Sequence, residues 1–389
     1  MNDGSSSRSL QDFAAGKLSR LGALSLRRSV AETTPRGGAM VERDGRALIN
    51  FSFNDYLGLA QHPEVIDAAV QAARDFGAGA GASRLVTGAY PLLQTLERRI
   101  AAFKGTEDAI VFGSGYLANL AIAPSLVGGG DLILIDALAH SCLHAGASLS
   151  GAHVEIFPHN DVDAARAILQ EKRAAHSRAM LLTDGVFSMD GDLAPLPALL
   201  ALADEFDVWA LVDDAHGFGV VGADGKGAAY AFDPPACAPL QMGTLSKAAG
   251  AYGGYLAASH AVCELLRTRA RAFVYTTAPP PAAAGAALKA LEIIEADADL
   301  RARPLALAAR FCAALGLPAP ASPIVPVVLG DPDSALAASR ALAEAGFLVA
   351  AIRPPTVPKG TARLRITFSA AHEEAQVDAL ADAMRTVLT

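Results

Sequence analysis

Five short apolar runs decide what kind of fold this chain can take: Ala109–Phe112, Leu132–Ile135, Met180–Thr183, Trp209–Val212 and Leu240–Gly243. Each is continuous rather than alternating, as expected of strands buried on both faces of a parallel sheet. Ala/Leu-rich helical stretches separate them between about residues 56 and 280. The expected class is therefore α/β, a large domain with a mostly parallel sheet flanked by helices. Each run also stops abruptly at polar chemistry: Gly113-Ser-Gly-Tyr116, Asp136 to His140, Asp184 to Ser188, Asp213 to His216, and Thr244 to Lys247. Open α/β sheets bind ligands outside the carboxyl ends of their strands. Five such ends point to one shared site.

Beyond the Pro-rich break Ala278-Pro-Pro-Pro-Ala282 the pattern changes. A helix over about 282–297 and a second helix lead to a strand at Ile324–Leu329. A helix at 333–345, strands Phe347–Ile352 and Arg363–Phe368, and a terminal helix from about 372 follow, a smaller α+β C-terminal domain. At the other end, 9–30 reads as an Arg- and Leu-containing helix and Ala47–Phe51 as a short strand. The expected division is an N-terminal arm over 1–55, a large cofactor-binding domain over 56–280 and a small domain over 281–389.

With 389 residues, 52% of them hydrophobic and 19% charged, the chain has material for a large core rather than a disordered ensemble. A net charge of −8 argues against general nucleic-acid binding, which needs a basic face. The local trio Arg267, Arg269 and Arg271 reads as a solvated helix face. Cys142, Cys237, Cys263 and Cys312 form no Cys-Xaa-Xaa-Cys pair, so reduced thiols are expected rather than a disulfide framework or a zinc ribbon. No basic-then-apolar leader and no bilayer-length apolar run is seen, which leads to the expectation of a soluble, cytoplasmic protein without membrane association.

Lys247 carries the chemistry. It lies in Gln241-Met-Gly-Thr-Leu-Ser-Lys247-Ala-Ala-Gly-Ala-Tyr-Gly-Gly254, a small-residue loop without other charge, with hydroxyls at Thr244 and Ser246. A lysine so placed is suited to a Schiff base, and the hydroxyls and loop amides to a phosphate. Asp213-Asp-Ala-His216 offers a carboxylate at a strand end, able to pair with a protonated heterocyclic nitrogen, and a histidine for a neighbouring oxygen. A metal site or a helix N-cap would use the same residues. Phe112-Gly-Ser-Gly-Tyr-Leu-Ala-Asn119 reads as strand, glycines and helix start, favourable for a phosphate. It lacks the third glycine of a dinucleotide fingerprint. His140 and His144 stand four apart without the glutamate of a zinc helix, so His140 is expected to stack on a planar ring and no metal is expected. Asp184-Gly-Val-Phe-Ser-Met-Asp-Gly-Asp192 does not have calcium-loop spacing and reads as a loop where Asp184 and Ser188 hydrogen-bond a cofactor or substrate, or as a simple turn. Arg363 and Arg365, two apart on a strand, share a face; they suit either a carboxylate clamp or the cationic rim of an edge strand.

Taken in order, Asn54-Asp-Tyr-Leu-Gly58, Gly-Ser-Gly-Tyr, Asp-Gly-Val-Phe-Ser-Met-Asp-Gly-Asp, Asp-Asp-Ala-His, Thr-Leu-Ser-Lys and Arg353-Pro-Pro-Thr-Val-Pro-Lys-Gly360 resemble the α-oxoamine synthases, from about residue 20 to the end. These are fold-type-I pyridoxal-phosphate enzymes that join an amino acid to an acyl thioester with loss of carbon dioxide. The stretch Ala351-Ile-Arg-Pro-Pro-Thr-Val-Pro is most similar to the branch that uses L-alanine and a pimeloyl thioester, on coenzyme A or acyl carrier protein, in biotin synthesis. The resemblance implies Lys247 as the Schiff-base lysine and proton-transfer base, Asp213 at the pyridine nitrogen, His216 at the ring oxygen and His140 stacked on the ring. It places Gly115, Tyr116, Asp184, Ser188 and Thr244 around pyridoxal phosphate, Thr244 at its phosphate. Arg365 is assigned to the amino-acid carboxylate, Arg27 and Thr356 to the acyl substrate, and Arg353 also counts as substrate-binding. It further implies a homodimer with the site at the subunit interface. Other readings are a sister enzyme using glycine or serine, a nicotinamide oxidoreductase, and a non-catalytic partner subunit. Two departures stand out: Asp184 replaces an expected glutamate, one methylene longer, and Phe218 replaces a small hydroxyl residue, with a reshaped pocket as the expected result.

Overall fold

A computed structural model describes residues 5–388, with side chains from Ser9 onward. Its main sheet has seven strands, in spatial order Asp108–Phe112, Gly254–Ala258, Leu240–Thr244, Trp209–Asp213, Ala179–Asp184, Leu132–Asp136 and His153–Phe157. Neighbours from Leu240–Thr244 to His153–Phe157 pair in parallel, whereas Gly254–Ala258 is antiparallel to both of its neighbours. Asp108–Phe112 therefore runs in the same direction as the parallel strands, and all five expected strands end at the same edge. Their limits fall within a residue of those read from the sequence.

Two strands went unread. His153–Phe157 alternates polar and apolar residues because it is the sheet edge, with His153 and Ile156 exposed. Gly254–Ala258, Gly-Tyr-Leu-Ala-Ala, comes directly after a glycine-rich loop, and it is fully buried. Along the central strands, alternate side chains enter opposite cores: Leu132 and Leu134 face one, Ile133 and Ile135 the other; Leu181 and Leu182 divide likewise. Each such Leu or Ile stabilises the fold by about 1.5–3 kcal/mol relative to exposure.

Contacts group the chain into two compact units. The larger comprises Phe53–Val325 and Thr367–Glu374; the smaller comprises the described residues up to Ser52, Pro326–Ile366 and those from Ala375 onward. This partition differs from the three-part division read from composition. Helices Pro281–Ala296 and Ala298–Leu315 belong to the larger unit, because Pro281–Ala296 packs closely on Pro63–Phe76. A Cβ on Gly285 would lie 2.7 Å from the Ala68 carbonyl oxygen, an approach only glycine allows.

In the smaller unit, Thr33–Pro35, Met40–Arg43, Arg46–Asn50 and Phe347–Leu348 form one sheet, and Ala362–Thr367 lies between Ile324–Gly330 and Ala350–Ile352 in another. The single strand expected over Phe347–Ile352 is split between the two sheets. At the break, the Val349 carbonyl accepts the Ser339 hydroxyl (2.6 Å). The N-terminal helix ends at Ala23 rather than at residue 30. Ser25 turns left-handed (φ +54), and the Leu26 N–H closes the helix on the Leu21 carbonyl. Arg267 is not a solvated cation: it donates to both Asp108 oxygens (2.7 and 3.0 Å) and to Glu264, while Arg269 and Arg271 are exposed. All four cysteines are free thiols, and no described helix is long and apolar enough to cross a membrane.

Candidate active site

The loop after Leu240–Thr244 is folded into a tight knot. Thr244 Oγ1 donates to the Gly253 carbonyl (2.8 Å) and accepts the Ser246 N–H (3.2 Å), while Ser246 Oγ and Gly253 N–H meet at 3.2 Å. Gly250 is left-handed (φ +60) and donates to the Lys247 carbonyl (2.8 Å), closing a turn under the lysine. The Lys247 side chain, half-buried, places Nζ 2.6 Å from His216 Nε2. His216 Nδ1 is 2.7 Å from the Tyr56 hydroxyl, which donates to Asn54 Oδ1 (3.3 Å). With the amine protonated, Nε2 accepts and Nδ1–H donates, so the polarity of this chain runs from Lys247 through His216 and Tyr56 to Asn54.

Asp213 ends the neighbouring strand with its side chain buried. Its Oδ2 accepts Asn119 Nδ2 (2.6 Å) and its Oδ1 accepts the Ala215 N–H (3.0 Å). Asn119 also reaches Cys142 Sγ (3.0 Å), which lies 2.7 Å from His140 Nδ1. His140 caps helix Ser141–Ser150, its Nδ1 accepting the Cys142 N–H (3.3 Å). Burial lowers the His140 pKa, the Asp213 charge opposing and Lys247 adding to the effect, so the imidazole is neutral with its proton on Nε2. Burial, with Asp213 adding, pushes the Cys142 thiol up to about 12.

The two departures resolve differently. Asp184 is buried, and its Oδ1 accepts the His140 N–H (3.0 Å), so the shorter acid acts on the backbone beside it. Burial, and then the nearby Asp213, raise its pKa well above the carboxylate range. Phe218 lies in the core, edge-on to Phe103 (5.6 Å) and Tyr255 (5.8 Å). Ser188 is buried on the turn after Asp184, and Tyr116 is 49% exposed at the start of helix Gly115–Leu126. Ser114 caps that helix by accepting the Leu117 N–H on its hydroxyl (3.2 Å) and the Ala118 N–H on its carbonyl (3.0 Å), leaving the Gly115 and Tyr116 amides as donors.

Sequence reasoning passed over Tyr56, Asn119, Cys142, Asp214 and Lys104. Tyr56 was within a quoted motif without a role, and Asn119 was read only as a missing glycine. Lys104 gave no signal, being the last residue of an ordinary helix.

In the smaller unit, Arg27, Arg353 and Thr356 line one cavity of about 760 Å³ together with Arg28 and Arg43. The residue bonded to Thr356 Oγ1 is Arg28 (2.7 Å), and Arg353 donates to the Ser25 carbonyl. Arg363 and Arg365 are buried on Ala362–Thr367, the central strand of its sheet, which overturns the edge-strand alternative.

Pyridoxal phosphate needs an amine for its aldehyde, a carboxylate for its ring nitrogen, a flat partner for its ring and N–H donors for its phosphate. The larger unit offers all four along one sheet edge, around a cradle kept bare of side chains. A Cβ on Gly115 would lie 3.0 Å from Met242 Cε, and one on Gly254 would lie 2.5 Å from the Gly115 nitrogen. The residues fit the group. Fold and site together define a pyridoxal-phosphate-dependent enzyme of fold type I.

Residues 46–384 match the family model for class I and II aminotransferases. The chain is 65% identical, over 99% of its length and 98% of the relative's, to an 8-amino-7-oxononanoate synthase from Maricaulis maris. It is 60% identical to one from a Methylobacterium species, over 97% and 96% of the two chains. Among solved structures, serine palmitoyltransferase from S. paucimobilis, bound to a pyridoxal-phosphate adduct of myriocin, superposes with a TM-score of 0.91 at 28% identity over 97% of both chains. The chain belongs to the class I and II aminotransferase family, and within it to the 8-amino-7-oxononanoate synthases.

Proposed function

We propose that this enzyme condenses L-alanine with a pimeloyl thioester, releasing carbon dioxide and the free thiol of coenzyme A or acyl carrier protein, to give 8-amino-7-oxononanoate for biotin synthesis. The observation that carries the chemistry is Lys247 Nζ at 2.6 Å from His216 Nε2, beside the buried Asp213. The choice of substrates rests on the 65% identity to a relative of that name.

Pyridoxal phosphate, when bound, supplies the electron sink that stabilises negative charge on the α-carbon of the amino acid. Lys247 would hold the cofactor through Nζ, and the same amine would take and return the α-proton of the amino acid. Asp213, oriented by Asn119 and Ala215, would hold the proton on the ring nitrogen. His216, steadied by Tyr56, serves the ring oxygen. Neutral His140, its backbone fixed by Asp184, would stack on the ring. The amides of Gly115 and Tyr116 with Thr244 hold the phosphate, and Ser188 bonds the ring substituent. Arg365 takes the alanine carboxylate; Arg27, Arg353 and Thr356 bind the acyl donor. The working form is a cytoplasmic homodimer.

A sister enzyme would instead take serine or glycine as the amino acid. One titration separates the two. The visible absorption band of the purified protein is followed while L-alanine, glycine and L-serine are added, then pimeloyl-CoA. A band that shifts with L-alanine and releases coenzyme A on adding the thioester is expected. A response to serine or glycine alone overturns the substrate assignment, and no band after reconstitution overturns the role of Lys247.

A further inference from the structure

The reaction above leaves one titratable cluster of the larger unit unused. His159 follows the edge strand His153–Phe157 and projects between carboxylates from two other segments. Its Nδ1 lies 3.1 Å from Asp136 Oδ1 and its Nε2 2.9 Å from Asp192 Oδ2. Asn160, left-handed at φ +57, reinforces both contacts: its backbone N–H donates to Asp136 Oδ2 (2.8 Å), and its Nδ2 to Asp192 Oδ2 (3.0 Å). The Phe187 ring meets the imidazole edge-on, with centroids 4.3 Å apart at 88°. Each ring nitrogen has a carboxylate as its shortest contact (Nε2 also lies 3.3 Å from Asn160 Nδ2), and bonding both carboxylates requires a proton on each, making the ring an imidazolium. Burial works against that charge, but the hydrogen bonds from Asp136 and Asp192 outweigh it and push the His159 pKa up to about 10.

The two carboxylates belong to segments already placed at the site. Asp136 ends its strand and opens the turn to His140, its Oδ1 also accepting the Leu138 N–H (2.7 Å). Asp192 closes the turn that begins at Asp184 and carries Ser188. That turn is shut by the Phe187 N–H on the Asp192 carbonyl (3.0 Å), the Gly191 N–H on the Phe187 carbonyl (2.8 Å) and a bridge between Val186 and Leu193. Deep in the site the two segments meet again, where the His140 N–H donates to Asp184. The His140 segment and the Ser188 segment are thus joined at two points, once inside the site and once outside it.

We propose that His159 is a positioning residue: as a doubly protonated bridge between Asp136 and Asp192, it locks the segment bearing His140 to the segment bearing Ser188 in the arrangement that receives the cofactor. This rests on the assignment of His140 and Ser188 as cofactor contacts. His159→Gln carries its donors on a single amide nitrogen and has no charge, so it cannot bridge Asp136 and Asp192 from opposite sides as the ring does. Asp192→Asn breaks the same bridge from its other end with almost no change of shape.

The test begins on the apoprotein at pH 8, where ring nitrogen-15 shifts, assigned by the signal lost in His159→Gln, should show both His159 nitrogens protonated. A neutral ring at that pH overturns the proposal. Pyridoxal phosphate affinity is then measured for the parent, both single variants and the double variant. Each single variant should weaken binding about tenfold or more, and the double variant no more than the worse single, because both act through one bridge. Variants that melt lower as apoproteins but bind the cofactor as tightly as the parent would reduce His159 to a structural anchor and overturn its positioning role; additive losses overturn the bridge. If His159→Gln does not fold, Asp192→Asn decides alone. A parent chain that takes up no pyridoxal phosphate refutes the cofactor assignment instead, a result distinct from equal binding by parent and variants.

Discussion

Replacing Lys104 by methionine isolates a buried acid directly behind the Asp213–His216 turn. Lys104 Nζ lies 3.4 Å from Asp214 Oδ2, the two side chains being 1% and 4% exposed. The amine also donates to the Lys226 carbonyl and lies 5.6 Å from the centroid of the Tyr230 ring. Both Asp214 oxygens take the Ala228 N–H (3.0 and 3.2 Å), and Gly185, Gly217 and Gly227 crowd the carboxylate so closely that a Cβ on any of them would press on it. Methionine keeps most of the volume, so the loss is one of charge. Removing one partner of a buried ion pair costs about 3–5 kcal/mol. Burial already raises the Asp214 pKa against the pull of Lys104, and without the lysine it climbs further. A carboxyl whose folded pKa is raised loses stability as pH rises through that pKa, so the deficit grows from pH 5 to pH 8. At about 2.1 cal/mol/K per residue, one-step unfolding of 389 residues changes entropy by roughly 0.8 kcal/mol/K, so Lys104→Met should melt about 4–6 °C lower at pH 8. Calorimetry of the apoprotein at both pH values measures this, and Lys104→Met/Asp214→Asn should recover at least half of the loss. A single variant melting within about 1 °C of the parent at both pH values refutes the assignment of a stabilising buried pair.

Three further outcomes are expected. Lys247→Ala should abolish turnover and the amino-acid-dependent shift of the visible band while the apoprotein melts within about 2 °C of the parent, since the half-buried lysine is not in the core. Asp55 has its pKa raised to about 6 by burial, against the Ala60, Leu59 and Gly58 amides; stability is lost as pH rises from about 4 to 6, so Asp55→Asn should flatten that part of the apoprotein's pH–stability curve, by at most about 3 kcal/mol. Gly254→Ala pushes a methyl group onto the Gly115 backbone and should weaken pyridoxal phosphate binding at least tenfold, measured by titrating the apoprotein; unchanged affinity would show that Gly115 does not shape the phosphate end.

The parallel strands were legible because being buried on both faces makes a strand uniformly apolar, and that pattern survives without neighbours. Gly254–Ala258 was not, since Gly-Tyr-Leu-Ala-Ala is short and weakly patterned, and its antiparallel direction depends on the length of the loop before it. The site was readable in part for a similar reason. Lys247, Asp213 and His140 each follow a strand, so the sheet collects them at one edge whatever the details. Tyr56 lies 160 residues from His216 and Asn119 lies 94 from Asp213, and no local signal pairs them.

What the sequence by itself determined, then, is the α/β class, the edge where the polar strand ends gather and the residues found there, since strand periodicity and a lysine in a glycine-rich loop are local properties of the chain. Only the tertiary structure decided which proton each of those residues holds. The neutral state of His140 and the charge on His159 follow from burial and from bonds to distant segments, and hydrogen bonding and desolvation act through space, between groups the chain order keeps far apart.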